Sequence, residues 1–344
     1  MTQEIKKEKF NFKEFILENA LIIILFALIA GIIIIEPSFV TNINNIINIL
    51  TQTSTRLFIA LGTGGLLILA GTDLSAGRIV GMSAAVSGSL LQSMEYSQRF
   101  FPNMGEMPII VGLIAAIIIG ALCGLLNGFG VAFLKLHAFI ASLGTQLIVY
   151  GLLQIYIASS PWGAQPIGVF KESYTNLVLG GINIPGVNFQ IPYLLIYALI
   201  AIIVMWFIWN KTVLGKNMFA VGGNMEAAEV SGISVKKTIM LVFLISGIMY
   251  GISGFLEGPR LGSVTSTTGT NYDLDAIEAC LIGGVSFSGG IGTIPGIVLG
   301  AVILQVINYG LIYIGLSSYI QIIIKGALII LAVAIDTRKR IKKK

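Results

Sequence analysis

The residues of this sequence that could do chemistry are polar side chains placed within or beside long apolar runs. One carboxylate and three amides stand out, namely Asp73, Asn127, Asn271 and Asn308. Strongly polar groups at membrane depth are costly to bury and are therefore functional candidates by default. Carboxylates and amides can hydrogen-bond the hydroxyl groups of a carbohydrate, so we predict that these four residues line a pathway for a polar solute.

Two glycine-rich breaks, at residues 71–77 and 283–290, add serine hydroxyls to this candidate pathway. A constant shift along the chain aligns the two breaks and places Gly71 opposite Gly284. Paired glycine-interrupted segments are the best sequence indication of a transporter's binding region. We therefore predict a weak internal repeat, with a chance likeness of two turns as the alternative, and add Ser75, Ser286 and Ser288 to the pathway.

Several acidic residues also have a purely structural interpretation. Asp73 could instead accept backbone N–H groups as the cap of a helix, which is a common turn device. Glu257 and Arg260 close one apolar segment, while Asp273 and Asp275 open the next. For these four residues we expect a local ion pair or a solvated edge of the membrane, with a pathway role as the alternative.

Residue combinations typical of catalysis are missing from the sequence. His137 is the single histidine, so we predict neither a metal site nor a histidine-based nucleophile relay. Gly215-Lys216-Asn217 lacks the Ser or Thr that follows the lysine of a phosphate-binding loop. We therefore expect no catalytic residue, no cofactor on this chain and no hydrolysis of ATP by the chain itself.

The composition is that of an integral membrane protein. Hydrophobic residues make up 56% of the 344 and charged residues only 11%, against about 25% charged in soluble domains. We predict an all-α, polytopic fold in which residues 1–344 form one transmembrane domain. About ten apolar segments would cross the membrane, and they are 16–35, 57–70, 79–94, 108–134, 138–158, 192–209, 238–258, 275–285, 292–314 and 319–335.

Segments 57–70 and 275–285 are too short for ordinary transmembrane helices, since a bilayer core of about 30 Å needs about 20 residues. We therefore expect short half-helices or cytoplasmic turns at the two breaks, and the sequence leaves both open.

Basic residues predict the orientation of the chain in the membrane. Most of the 21 Lys and Arg fall at the N-terminus, in residues 210–237 and at the C-terminus, and Arg78 and Lys135 are assigned to the same side. Because cytoplasmic loops carry the excess of Lys and Arg, we place both termini and the 210–237 loop in the cytoplasm. Topology explains these charges, so we predict no binding of nucleic acid.

The 210–237 loop contains a signal for a short helix. Asn224 suits an N-cap, Glu226 favours the positive end of the helix dipole, and Gly232 suits the position just after the helix. We predict a helix of about two turns that docks a partner protein, with a plain surface helix as the alternative. Its candidate residues are Asn224, Glu226, Ala227, Ala228, Ser231 and Gly232.

These segments resemble those of a known family. Residues 224–232 look like the cytoplasmic coupling segment of sugar ABC-importer permeases of the ribose/galactose type, and residues 71–77 match that family's Gly-x-Asp-Leu-Ser-x-Gly signature. Thr72 and Ala76 within this signature are similar to the galactose/methyl-galactoside branch. The resemblance covers roughly residues 20–340 and is weakest in residues 159–190.

The resemblance implies a set of partners and a location. Two copies of the chain would form the membrane pathway, and a separate duplicated ATPase, which carries ATP and Mg²⁺, would dock on the 224–232 helices. An external binding protein would deliver the sugar, galactose or a methyl galactoside. The chain would lie among the lipids of a bacterial inner membrane.

Three alternatives stay open at this point. One is a permease of the same architecture for ribose, a nucleoside or another small polar solute. The second is an ion-coupled secondary transporter, which usually buries carboxylates in mid-span, whereas most acidic residues here lie at the ends of segments. The third is a membrane enzyme, which the missing catalytic combination disfavours.

Overall fold

A computed structural model describes residues 20–183 and 190–341. It is mostly helical, and two small sheets add short strands. The fourteen helices of the described residues are α1 Ala20–Ile35, α2 Ser38–Thr41, α3 Ile43–Ile68, α4 Ala76–Leu90, α5 Ile109–Ala132, α6 Ala138–Ala158, α7 Glu172–Leu179, α8 Tyr193–Lys211, α9 Val213–Gly223, α10 Met225–Val230, α11 Val235–Leu261, α12 Tyr272–Ile282, α13 Ile294–Tyr313 and α14 Ser318–Ile341.

The helices follow the apolar segments of the sequence, since a helix lies on each of the ten predicted segments. Five helices among the described residues are long and apolar enough to cross a membrane, and they are α5, α6, α8, α11 and α13. The chain is therefore a helical, multi-pass membrane protein. The first predicted segment, 16–35, lies partly outside the described residues.

Helix α3 corrects one prediction. Segment 57–70 was expected to be a short half-helix, but it is the second half of a helix of 26 residues that begins at Ile43. The polar first half resembles a loop in sequence, yet its hydroxyl groups bond to the helix itself. Thr51 donates to the Ile47 carbonyl at 2.7 Å and Thr53 to the Ile49 carbonyl at 2.7 Å, a local pattern that keeps polar side chains satisfied inside a helix.

The core of residues 42–305 is built around helix α11. Gly247 and Gly251 of α11 face α5 so closely that a Cβ atom on either would collide with the α5 backbone. The matching position on α5 is Gly120, where a Cβ would collide with Gly247. Small residues at four-residue spacing allow this approach.

Helices α3 and α4 approach α11 in the same way. Ser246 of α11 donates to the Gly62 carbonyl of α3 at 2.8 Å, and Ser253 donates to the Thr55 carbonyl of α3 at 2.9 Å. Gly254 lies against the backbone of α4 near Val80. Hydrogen bonds from serine to a neighbouring backbone join helices where lipid cannot supply a partner.

The two glycine-rich breaks begin with the same helix-ending motif. After α3, Ala70 takes a φ of 57° and the Gly71 N–H donates to the Leu66 carbonyl at 2.9 Å. After α12, Gly284 takes a φ of 81° and the Val285 N–H donates to the Cys280 carbonyl at 2.9 Å. This is the Schellman arrangement, and it pairs Ala70, one residue earlier than the sequence alignment, with Gly284.

Residues 306–341 and 20–41 form a separate compact unit. In it, Phe39 of α2 packs its ring at 5.6 Å from that of Tyr313, and the hydroxyls of Ser38 and Tyr313 lie 2.8 Å apart. The sequence prediction of a single domain stays a prediction.

Two small antiparallel sheets qualify the all-α prediction. Strand β1, Ile167–Gly168, pairs with β4, Ser263–Val264, and β2, Gly181–Asn183, pairs with β3, Gln190–Pro192. All four strands lie in connections between helices, where the sequence carries no long alternating pattern.

Arg78, which the sequence assigns to the cytoplasmic side, lies in the first turn of α4 and is half-buried. Its guanidinium stacks over the Tyr150 ring at 4.2 Å and donates to the Ser266 carbonyl at 3.4 Å. It therefore contributes to packing between α4, α6 and the connection after β4, and its side of the membrane stays a prediction.

The glycine contact between α5 and α11 can be tested by adding one methyl group. Gly120→Ala should lower stability by about 1–3 kcal/mol, because the new Cβ meets backbone that cannot rotate away. Gly151→Ala in α6 is the matched control, since nothing lies within 4 Å of a Cβ there. Thermal unfolding of the purified protein in detergent measures both; equal melting temperatures for the two variants would contradict the packing described.

Candidate functional site

Three of the predicted pathway residues form one buried chain of hydrogen bonds. Ser75 donates to Asp73 Oδ1 twice, from its backbone N–H at 2.8 Å and from its hydroxyl at 2.5 Å. Asn127 Nδ2 donates to the Ser75 hydroxyl oxygen at 2.8 Å. All three residues are at most 1% exposed, so the group is closed to solvent in this structure.

The elements around the first break hold this group in place. Asp73 and Ser75 lie just before helix α4, and Asn127 comes from α5. The hydroxyl of Ser142 on α6 accepts from the Leu74 N–H at 3.1 Å, which fixes the intervening peptide. Asp73 therefore makes the Asx turn that its structural interpretation predicted.

Two oxygen atoms of the group have no hydrogen-bond partner among the described residues. They are Asp73 Oδ2 and Asn127 Oδ1, and both are inaccessible to solvent. Buried polar atoms are nearly always paired, so these two exceptions distinguish the group from an ordinary turn.

The remaining predicted pathway residues do not join this group. Asn271 is exposed at a φ of 64° just before α12. In the second break, Ser286 is buried and its oxygen accepts from the Ser288 N–H at 3.3 Å, while Ser288 is exposed. Asn308 lies on α13 in the terminal unit, where its Oδ1 is buried without a partner among the described residues.

An ion-pair network lies at the opposite end of α11 from its basic first turn. Arg260 donates to both carboxylate oxygens of Glu257, at 2.6 and 2.5 Å, and the Tyr272 hydroxyl donates to Glu257 at 2.7 Å. Glu257 is fully buried, and Arg56 of α3 pairs with Asp275 of α12 at 3.4 Å. The expected local ion pair is confirmed for Glu257 and Arg260.

Sequence reasoning missed the contribution of Arg56 and Tyr272 to this network. The guanidinium of Arg56 stacks on the Tyr272 ring, and these residues lie far apart in the sequence on α3 and α12. The hydropathy pattern of the sequence cannot reveal such a pair, since both residues resemble ordinary polar positions at the ends of apolar segments.

The predicted helix in the basic segment is present as α10. Asn224 caps it, because its side chain accepts from the Ala227 N–H at 2.9 Å. At the other end Gly232 takes a φ of 82°, and the Ile233 N–H donates to the Ala228 carbonyl at 3.1 Å. The N-cap and the glycine stop were both predicted from the sequence and are confirmed.

The exposed residues of α10 differ from the candidate docking residues that the sequence predicts. Ala228 is only 4% exposed and turns inward, so it cannot contact a partner directly. Val230 is 91% exposed and Met225 46%, and Ala227 lies between them in the sequence and is exposed. The exposed residues of α10 therefore combine apolar side chains with the carboxylates of Glu226 and Glu229.

A second helix in the same segment was missed. The sequence predicts a loop over residues 210–237, but α9 occupies residues 213–223 and turns Met218 and Val221 inward. The Gly290 N–H donates to the Ile68 carbonyl at 2.9 Å, and a Cβ on Gly222 would collide with the same carbonyl. The end of α3, the second break and α9 therefore meet directly before α10.

The amino-acid sequence of the chain is also similar to those of known proteins. The family described as branched-chain amino acid transport system / permease component matches residues 45–333. The chain belongs to this family of transport-system permeases, in agreement with the resemblance in the sequence to sugar ABC-importer permeases.

Individual relatives are similar over nearly the whole chain. The galactose/methyl galactoside import permease protein MglC of Haemophilus influenzae is 49% identical over 95% of this chain and 96% of its own length. The Escherichia coli protein of the same name is 46% identical over 98% of both chains. The ribose import permease protein RbsC of Escherichia coli is 34% identical over 98% of this chain and 99% of its own length. No solved structure gave a significant match.

The buried serine can be tested against its counterpart in the second break. Ser75→Ala should lower stability by about 1–3 kcal/mol, since it removes the hydroxyl bond to Asp73 and leaves Asn127 Nδ2 without its acceptor. Ser288→Ala, at an exposed position, should stay within about 0.5 kcal/mol of the parent. Denaturation followed in detergent compares the two, and an equal effect at both sites would contradict the special place given to Ser75.

Proposed function

We propose that this chain is the membrane permease subunit of an ATP-driven importer of galactose or methyl galactosides. The observation that carries the proposal is identity of 46–49% to galactose/methyl galactoside permeases, against 34% to a ribose permease, over nearly the full length of each. The whole chain is covered by the match, so the similarity includes the helices, the first break and the basic segment together.

The topology we propose has ten membrane crossings, both termini in the cytoplasm and an internal repeat that relates the two breaks. The shared helix-ending motif at Ala70 and Gly284 supports the repeat. The concentration of lysines around α9 and α10 supports a cytoplasmic position for this segment. The protein would then lie among the lipids of a bacterial inner membrane.

The partners we propose are a second copy of this chain, a duplicated ATPase that holds ATP and Mg²⁺, and an external sugar-binding protein. Helix α10 supports the ATPase assignment, because a capped helix with exposed apolar side chains is suited to dock into a groove. ATP hydrolysis would then occur on the ATPase. This chain would supply the sugar pathway and, through α10, the contact that transmits motion from the ATPase.

For the pathway itself we propose Asp73, Ser75, Asn127, Asn271, Ser286, Ser288 and Asn308. The first three are buried in this structure and bond to one another, so contact with a sugar requires the helices around them to move apart. Rigid-body motion of helices around a fixed site is how alternating access operates in transporters. The two oxygen atoms without partners would then be free to accept from sugar hydroxyls.

A permease for another sugar is the alternative that the comparisons favour next, since a ribose permease and a D-allose permease of Escherichia coli are 34% and 33% identical. The family membership disfavours an ion-coupled secondary transporter, even though Asp73 lies deeper than the sequence suggested.

The sugar can be tested by reconstitution. The chain, its ATPase and its binding protein in liposomes should hydrolyse ATP faster when the binding protein is loaded with galactose, and ribose should have no effect. Stimulation by a different sugar would overturn the substrate and keep the class, whereas uptake that follows an ion gradient without ATP would overturn the class.

The coupling helix can be tested by placing charge on its free face. Ala227→Glu should abolish sugar-stimulated ATP hydrolysis and uptake, because it adds a bulky third carboxylate to the proposed contact surface, which already carries Glu226 and Glu229. Ala227→Ser keeps a small side chain and should retain both activities. The amount of inserted protein is measured in parallel, and normal uptake by Ala227→Glu would contradict docking through α10.

A further inference from the structure

The buried group at the first break has one unusual property in the closed arrangement of this structure, before any sugar could reach it. It contains two acceptor oxygens without partners, Asp73 Oδ2 and Asn127 Oδ1, in a place that solvent does not reach. Each buried acceptor without a donor costs about 1–3 kcal/mol. The group therefore lacks a donor hydrogen that would serve one or both oxygens.

The direction of each hydrogen bond follows from the chemistry of Ser75. Its hydroxyl has a single hydrogen, which it donates to Asp73 Oδ1 at 2.5 Å. Its oxygen must therefore accept from Asn127, whose Nδ2 lies 2.8 Å away. This fixes the orientation of the Asn127 amide and leaves Asn127 Oδ1 as an acceptor without a partner among the described residues.

The surroundings of Asp73 offer no positive charge to balance a carboxylate. The ion pairs among the described residues are Arg56 with Asp275, Lys171 with Glu106 and Arg260 with Glu257, and none of them includes Asp73. An ionised carboxylate that is buried without a cation is strongly unfavourable, and such groups take up a proton instead.

The titratable groups that face Asp73 come from three packed helices. Tyr250 lies on α11, Cys123 on α5 and Asp273 on α12. Each interacts electrostatically with Asp73, and the Tyr250 hydroxyl also lies within hydrogen-bonding reach of its carboxyl group. None of the three carries a positive charge in any protonation state. The Tyr250 hydroxyl lies 3.1 Å from the Thr63 hydroxyl, which can accept its hydrogen.

We propose that Asp73 is a proton-binding site, and that its carboxyl is held as the neutral acid with the Oδ2–H group donating to Asn127 Oδ1. One proton, taken from water, turns Oδ2 from an acceptor into a donor and satisfies both unpartnered oxygens with a single hydrogen bond. Ser75 keeps both of its bonds to Oδ1. The site is thus a neutral polar chain of Asp73, Ser75 and Asn127 buried among helices.

The protonated carboxyl can be observed by infrared spectroscopy. The importer reconstituted in liposomes at neutral pH should show a carbonyl-stretch band of a protonated carboxyl that disappears in Asp73→Asn and remains in Tyr250→Phe. Loss of an ionised-carboxylate band in Asp73→Asn, with no change in the protonated-carboxyl region, would overturn the proposal. The donor would then be a water molecule or the Tyr250 hydroxyl.

A second variant tests the hydrogen bond and covers the case in which Asp73→Asn does not insert. Asn127→Ala removes the acceptor, so the same carbonyl band should move to higher frequency, as expected when an acid O–H loses its partner. An unmoved band would overturn the assignment of Asn127 Oδ1 as the acceptor. Both readouts are independent of which sugar is carried, so their failure is distinguishable from failure of the proposed function.

Discussion

Close approach of backbones around helix α11 is the constraint on which the arrangement of residues 42–305 depends. In lipid there is little hydrophobic gain from joining two apolar helices, so association relies on tight packing and on hydrogen bonds between helices. Gly247 and Gly251 remove the side chains that would hold α5 away. Ser246 and Ser253 then bond to carbonyls of α3 across the same short distance. A bulky residue at any of these positions would widen the contact that sets the depth of Asp73 and Asn127.

This packing also explains how polar groups persist in the interior. Every buried donor or acceptor needs a partner within the protein, because the surrounding lipid offers none. In α3 the hydroxyls bond to carbonyls of their own helix, while at the first break Asp73 replaces the missing helical partner of the Ser75 N–H. The glycine contacts bring the Asn127 amide within 2.8 Å of this turn. The polar group is therefore a product of the close packing and cannot form without it.

The sequence predicted the helices well where a segment is uniformly apolar. It did less well where local hydrogen bonds compensate for polar side chains within a helix. Segment 138–158 coincides with α6, and the cap and stop of α10 were correct, because Asn224 and Gly232 act within a few residues of themselves. The predicted start of α3 was wrong. Thr51 and Thr53 are tolerated inside this helix because their hydroxyls bond to its own carbonyls, which a hydropathy average does not take into account. The sequence also could not predict the burial of Ala228, because this burial depends on how neighbouring helices pack around α10.

The candidate site shows the same division between local and long-range information. The sequence indicated Asp73, Ser75 and Asn127 as polar residues in apolar surroundings, but not that they form one chain of bonds. It also could not separate Ser75 from Ser288, although the two are paired in the alignment of the breaks. The difference arises because the first break turns inward to begin α4 against α5, while the second turns toward α9 at the end of α3. Similar turns thus present one serine to a buried amide and the other to solvent, so the two breaks share a backbone shape without sharing polar chemistry.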